Sequence, residues 1–245
     1  MPLTPVPHVR GLLLAAGAGR RFGGPKALAR KEAHGPTLVE AAVGVLRDGG
    51  CDGVTIVVGA AADEVAGVLA PLLAEQDQDQ DQEGQEGQEG QEGQEGGVDL
   101  VVCPDWAEGM GASLRAGLAA FSETSRVEAA LVSLVDLPDV GPDVVARLLS
   151  LASPRHEGQG RAVLARAAYG GVPGHPALIG RDHWEDVIAA ATGDRGARDY
   201  YRAHAHDLIE CGDLATGRDA DRPEELAELG NARDGADPAD PGRPE

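Results

Sequence analysis

Between Gly17 and Lys26 the chain gathers four glycines (Gly17, Gly19, Gly23, Gly24) and three cations (Arg20, Arg21, Lys26). The apolar run Val9–Ala16 leads straight into them. Glycine has no Cβ, so Gly17 and Gly19 can take φ > 0 and aim backbone N–H groups at an anion. With Arg20, Arg21 and Lys26 beside them, the chemistry on offer is the holding of phosphate oxygens. A second set of residues is acidic: Asp136, where an apolar run ends and Pro138 turns the chain away, and the pair Asp219 and Asp221. A carboxylate emerging from a buried strand is costly unless it is paired or on a metal. The plainer alternatives are a turn or N-cap role for Asp136 and a helix-cap role for Asp221 ahead of Pro223. A third set comprises His175 in the loop Gly170–His175, and Arg195 and Arg198 in the run Gly193–Arg198. These read either as a polar loop residue and solvated helix-face cations, or as a grip on a second anion. Gly109 and Ser113 are either a flexible turn and a helix cap, or ligand contacts. The other histidines (His8, His34, His156, His183, His204, His206) have no ligand spacing.

Spacing removes two common nucleotide loops. A Walker A loop needs glycine before its lysine and Ser or Thr after it, but Lys26 stands between Pro25 and Ala27. The dinucleotide fingerprint needs Gly or Ala where Phe22 stands, and an acidic residue at the end of the second strand. That strand, Val54–Val58, runs into Gly59 with no carboxylate before Asp63.

The pattern that does fit is L-A-A-G-x-G-x-R-x-G-x-x-K, from Leu14 through Lys26 with Gly24 as an extra glycine. It resembles the signature of the MobA/MocA-like nucleotidyltransferases, which include molybdenum cofactor cytidylyl- and guanylyltransferases. The resemblance implies a Rossmann-like nucleotide-diphospho-sugar transferase architecture. It implies that Leu14, Ala15, Ala16, Gly17, Gly19, Arg20 and Lys26 bind the nucleotide, with Arg20 and Lys26 holding its triphosphate. Leu134–Pro138 matches the family's D-x-P element, whose aspartate, here Asp136, binds Mg²⁺ and counts with Arg20 and Lys26 as catalytic. Asp219–Leu226 resembles the late D-I-D-T-P-E-D-L motif, with Arg222 for threonine and Glu225 for aspartate; this adds Asp219 and Asp221 as metal ligands. Trp106–Leu118 resembles the segment in which glycine and serine, here Gly109 and Ser113, contact the nucleotide, though Cys103 replaces the usual asparagine. Gly174-His175-Pro176 and Gly193–Arg198 match two elements of the MocA-like branch and make His175, Arg195 and Arg198 acceptor-binding.

What must position these residues is an alternation of strands and helices. Strands are expected at 9–16, 54–58, 98–102, 128–135, 161–165, 176–179 and 207–211. Helices are expected at 37–48, 63–73, 112–121, 142–151, 182–191, 195–204 and 223–229, from apolar positions at 3–4 spacing. The expected fold is a three-layer α/β/α sandwich on a mostly parallel sheet. Ligands bind such sheets at the carboxyl ends of the strands, where the glycine loop and Asp136 would meet. Residues 1–8 are expected to be a flexible arm, 9–229 the domain, and 230–245 a disordered tail. Within the domain, 75–97 carries nine acidic and no basic side chains in Gln-Asp pairs and Gln-Glu-Gly triplets, with no apolar residue after Glu75 until Val98. A disordered insertion is expected there.

The formal charge of −20 is partly the work of that insertion and of the tail. The remainder is still acidic, which argues against a nucleic-acid partner. No apolar run approaches the ~20 residues of a membrane span, and the first residues lack a signal-peptide pattern. Three widely spaced cysteines offer neither a disulfide framework nor a zinc site, so a cytoplasmic setting is expected. Taken together, the expectation is a Mg²⁺-dependent nucleotidyltransferase that moves a nucleotide onto a small phosphate-bearing acceptor and releases pyrophosphate. L-A-A-G resembles the CTP-using branch and L-A-G-G the GTP-using one, so Ala16 favours CTP. Molybdopterin is the favoured acceptor, with a molybdoenzyme as a possible client. The alternatives are a guanylyltransferase for a sugar phosphate or phospho-acid, and a non-catalytic carrier of molybdenum cofactor.

Overall fold

A computed structural model describes residues 8–83, 97–122, 126–152 and 160–234. Its centre is a seven-stranded sheet in the order β3-β2-β1-β4-β6-β5-β7. The strands are β1 (Val9–Leu14), β2 (Val54–Val58), β3 (Val98–Val102), β4 (Ala129–Leu134), β5 (Leu164–Tyr169), β6 (Val172–Gly180) and β7 (Asp207–Glu210). All run parallel except β6, which is antiparallel to both β4 and β5. The helices are α1 (Leu38–Asp48), α2 (Ala62–Glu83), α3 (Met110–Ser122), α4 (Pro142–Ala152), α5 (Trp184–Ala190), α6 (Arg198–Ala203) and α7 (Pro223–Asp234).

Side chains of β1 alternate between two cores, as the two-residue strand period requires. Val9, Leu13 and Ala15 join residues of α1, α2, α4 and α7, whereas Leu12, Leu14 and Ala16 join α3, α5 and α6. All six residues of β1 are buried, so its unbroken apolar run is the mark of a sheet covered on both faces. The three-layer sandwich and mostly parallel sheet expected from the sequence are what the chain forms. Strand order reverses beside β1, which pairs with both β2 and β4. The glycine loop leaves β1 and Asp136 follows β4, so both emerge at this switch point.

Several boundaries differ from expectation, each for a physical reason. The loop 170–175 shrinks to a two-residue turn, because Gly170 (φ 58°) and Gly171 (φ 78°) supply the left-handed pair that a tight hairpin needs. Residues 172–175 belong to β6, Val172 and Pro173 pairing with Tyr169 and Ala168, and β5 lies at 164–169 rather than 161–165. The run 193–195 is a short 3₁₀ turn, with α6 beginning only at Arg198. Helix α2 continues to Glu83, into the segment expected to be a disordered insertion. Elongating an existing helix avoids the nucleation cost, and Gln and Glu are good helix formers. The rest of that segment, 84–96, lies outside the described residues, as do residues 1–7 of the arm and 235–245 of the tail; residues 230–234 belong to α7.

Candidate active site

Lys26 opens a short 3₁₀ turn after the glycine loop, and its ammonium bridges two carboxylates. Its Nζ donates to Asp136 Oδ2 and to Asp221 Oδ1, each at 2.7 Å. Arg21 stands 3.5 Å from the other oxygen of Asp221. The Lys26 and Asp136 side chains are only 15% and 18% exposed, whereas Asp221 is 43% exposed, so the bridge runs from a half-sealed floor to an open rim. Burial opposes the charge on Lys26, but the hydrogen bonds to Asp136 and Asp221 and their charges outweigh it and hold its pKa above the ordinary lysine value. The bond from Lys26 outweighs partial burial at Asp221 and, with the charges of Lys26 and Arg21, keeps its carboxyl below the usual range.

Asp221 is therefore not the cap of α7. The carboxylate of Glu225 reaches back to the backbone N–H groups of Asp221 (2.7 Å) and Arg222 (3.0 Å), with Pro223 at the first helical position. That leaves the Asp221 side chain for Lys26. Asp219 completes the group: one oxygen from each of Asp136, Asp219 and Asp221 lies within 4.8 Å of the others. The backbone ties the two segments as well, since Ala220 N–H donates to the carbonyl of Asp136 at 2.9 Å.

In the glycine loop, Gly19 has φ 58°, and a Cβ there would overlap the carbonyl of Gly24. Gly23 and Gly24 both donate backbone N–H bonds back to Gly19 O. Only glycine closes this ring. Gly17, expected to share the left-handed conformation, does not have it; the space where its Cβ would stand is open for 4 Å. Arg20 is exposed and makes no ion pair among the described residues. Ala15 and Ala16 are buried, and Ala16 O accepts from Ala60 N at 3.0 Å.

Asp219 also lines a cleft of about 280 Å³ between the β5–β6 hairpin, α3 and the start of α6. Its apolar side includes Leu14, Leu114, Val132 and Ile179; its polar side includes Arg166, His175, Arg195, Arg198 and Tyr201. Three sequence candidates, His175, Arg195 and Arg198, thus share one cavity with Leu14 and Asp219. Arg195 is engaged by Asp199 at 3.0 Å, while Arg198 is exposed with no ion pair among the described residues. His175 is neutral at ordinary pH, because burial first, and then Arg166 and Arg198, push its pKa down to about 4. The cleft's positive charge therefore comes from its arginines. Gly109 and Ser113 do not line it, although Met110 and Leu114 do. Gly109 (φ 113°) and Gly111 instead let α3 close against Ala191–Asp194, where any Cβ would strike backbone. Ser113 is buried in the first turn of α3, past the capping position.

With the geometry in place, comparisons with known proteins are decisive about family. A model of the MobA-like NTP transferase domain matches residues 11–208. The chain belongs to the MobA-like NTP transferase family. Among curated relatives, Nicotine blue oxidoreductase of Paenarthrobacter nicotinovorans is 36% identical over 236 residues, covering 92% of this chain and 98% of its own. Rv0371c of Mycobacterium tuberculosis H37Rv shares the fold at 23% identity and TM-score 0.65, covering 93% of this chain and 100% of that one; it has also been solved in complex with manganese. A nucleotidyl transferase from Methanothermobacter, Mth528, shares the fold at 18% identity and TM-score 0.66, over 91% and 96% of the two chains.

For a MobA-like chain, the donor set can be tested against a divalent cation. Three carboxylates whose oxygens converge within 4.8 Å, with no sulfur or imidazole among them, suit a hard ion such as Mg²⁺ or Mn²⁺. A cationic group, Lys26, already sits against two of the three, so the position attracts positive charge. The residues fit the group. Sequence reasoning missed Arg166, Tyr201, Asp139 and Thr216. Arg166 donates to Gly174 O at 3.1 and 3.3 Å and stacks 5.1 Å from the Tyr201 ring, holding the His175 strand in place. An arginine inside an otherwise apolar strand was the available signal for it. Asp139, a second carboxylate one residue after Pro138, was another.

Proposed function

We propose that this MobA-like protein transfers CMP from CTP to a phosphate-bearing acceptor, with Mg²⁺, and that the acceptor is molybdopterin. One observation carries the transferase reading: Lys26, at the end of the glycine loop, bridges Asp136 and Asp221 beside Asp219, and a Cβ on Gly17, Gly23 or Gly24 of that loop would meet open space. A phosphate oxygen of the acceptor attacks the α-phosphorus, the bond from that phosphorus to the bridging oxygen breaks, and pyrophosphate leaves. Such a reaction needs positioning and charge neutralisation rather than a protein nucleophile. Loop N–H groups, Arg20 and Lys26 hold the triphosphate; Arg198 and Arg195 hold the acceptor's anion. Asp136, Asp219 and Asp221 would hold Mg²⁺, which supplies charge neutralisation to the phosphate oxygens when bound.

The cleft's lining is mixed, with Leu14, Leu114, Val132 and Ile179 beside Arg166, Asp194, Arg195, Arg198, Tyr201 and Asp219, which suits an anionic acceptor that also has an apolar part. The preference for CTP rests on Ala16 in L-A-A-G. A cytoplasmic site of action suits the three free cysteines. The test is pyrophosphate release with each nucleoside triphosphate and candidate acceptor, with and without Mg²⁺. CTP with molybdopterin should turn over fastest; no release under any pairing, with tight cofactor binding intact, would refute the transferase reading.

A second reading is favoured by one observation, the 36% identity to a relative named as an oxidoreductase over nearly its whole length. On that reading the same cleft takes a flat dye-like acceptor and the glycine loop takes the pyrophosphate of a dinucleotide reductant. Phe22 and the missing acid after β2 speak against an ordinary dinucleotide site. Oxidation of a reduced nicotinamide nucleotide by a flat quinonoid dye, followed by absorbance, separates the two.

A further inference from the structure

Asp139 lies three residues beyond Asp136 and is 6% exposed. Its Oδ2 accepts two bonds from one residue, the Thr216 backbone N–H at 2.6 Å and the Thr216 hydroxyl at 2.5 Å. Its Oδ1 is buried with no hydrogen-bond partner. A buried carboxylate with one oxygen unmatched is an expensive way to tie down a loop. What the bond positions explains the choice of site. Thr216 opens the segment that carries Asp219 and Asp221, and Ala220 in that segment is fastened to Asp136 O. The turn after β4 therefore grips the late aspartate segment twice, through a side chain at Thr216 and through backbone at Ala220. Between the two grips, Gly217 (φ 64°) lies flat on the Tyr169 ring, where a Cβ would overlap ring carbons. Tyr169 in turn donates its hydroxyl to His175 O at 2.7 Å. The carboxylates and the acceptor strand are thereby held in one frame.

We infer that Asp139 is a positioning residue that, through Thr216, sets Asp219 and Asp221 opposite Asp136 so that the three carboxylates can share one divalent cation. The inference rests on reading those three as the metal site. Its test needs no turnover, so the two can fail separately: a chain that binds Mn²⁺ yet releases no pyrophosphate refutes the transferase reading and leaves this one standing.

The experiment is Mn²⁺ titration of the full-length chain followed by electron paramagnetic resonance, with thermal unfolding in parallel. Partners outside the ligand shell commonly change metal affinity by about 10–100-fold. Asp139→Ala should fall in that range. Thr216→Val, which removes the hydroxyl and leaves the backbone bond, should lose less in the same direction and serves if Asp139→Ala does not fold. Asp139→Asn keeps an oxygen for Thr216 and should bind Mn²⁺ close to wild type. Variants that melt earlier but bind Mn²⁺ with unchanged affinity would show Asp139 to be merely structural and overturn the inference. So would an Asp139→Asn as weak as Asp139→Ala, or a wild-type chain that binds no Mn²⁺.

Discussion

Lys26 is the residue on which the site turns, because it stands where two kinds of cation compete. Its ammonium neutralises Asp136 and Asp221, which is also what a divalent ion would do. Removing it leaves Asp136 and Asp221 with the exposed Arg21 on the rim as the one neighbouring cation already described, and a stronger pull on a metal. Lys26→Met should therefore bind Mn²⁺ more tightly than wild type in the absence of nucleotide, while nucleotide-dependent pyrophosphate release falls by ~100-fold or more, the scale for losing one preorganised charge contact. Mn²⁺ titration and a pyrophosphate assay read the two effects. The loop glycines separate in the same way. Gly19→Ala forces a side chain into φ 58° against Gly24 and should cost about 1–3 kcal/mol of stability by thermal unfolding. Gly17→Ala meets open space, so it should leave the melting temperature unchanged and weaken only triphosphate binding. At this scale the sequence was legible where chemistry and spacing coincide, as at Lys26 and Asp136, which the fold joins by a hydrogen bond, whereas Arg20 stands exposed and outside that bridge. It was silent on the bond between Asp139 and Thr216, which spans 77 residues and leaves no local pattern.

Elements were legible where their own sequence closes their hydrogen bonds. Helix α1 is an example: Thr37 and Glu40 form a reciprocal capping box and Gly49 ends the helix, all within one stretch. Thr37→Ala should cost about 1 kcal/mol in thermal or urea unfolding. Residues 172–175 look like loop residues because they include two glycine-or-proline breaks and a histidine, yet β5 pairs with Val172 and Pro173 and carries the stretch into β6. That partner is another element, and no local period announces it. Helix α3 makes the same point about glycine. Gly109 and Gly111 read as a flexible turn, but they are sites of close approach, where the helix start meets the 191–194 turn that leads to Arg195 and Arg198. Gly111→Ala would push Thr192 backbone aside and should cost about 1–3 kcal/mol, the usual range for overpacking. It should also weaken acceptor binding more than nucleotide binding, which separate KM values would register.

For the whole molecule, the alternation of strands and helices made the layered fold legible, and with it the switch point at which the glycine loop and Asp136 emerge. What the sequence could not give is the electrostatic state of the cleft, because that depends on which cations the fold brings beside His175. Burial, Arg166 and Arg198 together lower its pKa from 6.5 to about 4. The consequence for stability has a definite sign. As pH falls below 6.5 the unfolded chain takes up a proton on this histidine while the folded chain does not, so protonation pulls the equilibrium toward unfolding. The loss grows from about pH 6.5 to about pH 4 and is complete below it; above 6.5 His175 contributes no pH dependence. The carboxyls held below their ordinary values, Asp221, Glu40 and Asp213 among them, exert their own effect only further into acid, near and below the ordinary carboxylate range of about 4. The window between pH 6.5 and 5 therefore separates His175 from these carboxyls, and the His175→Gln comparison separates it from the other histidines. Wild-type protein should lose melting temperature steadily across that window, and His175→Gln, which cannot take up the proton, should lose markedly less. Equal slopes for the two would mean that His175 is solvated and ionises freely, and that the cleft is wetter and less cationic than its arginines imply.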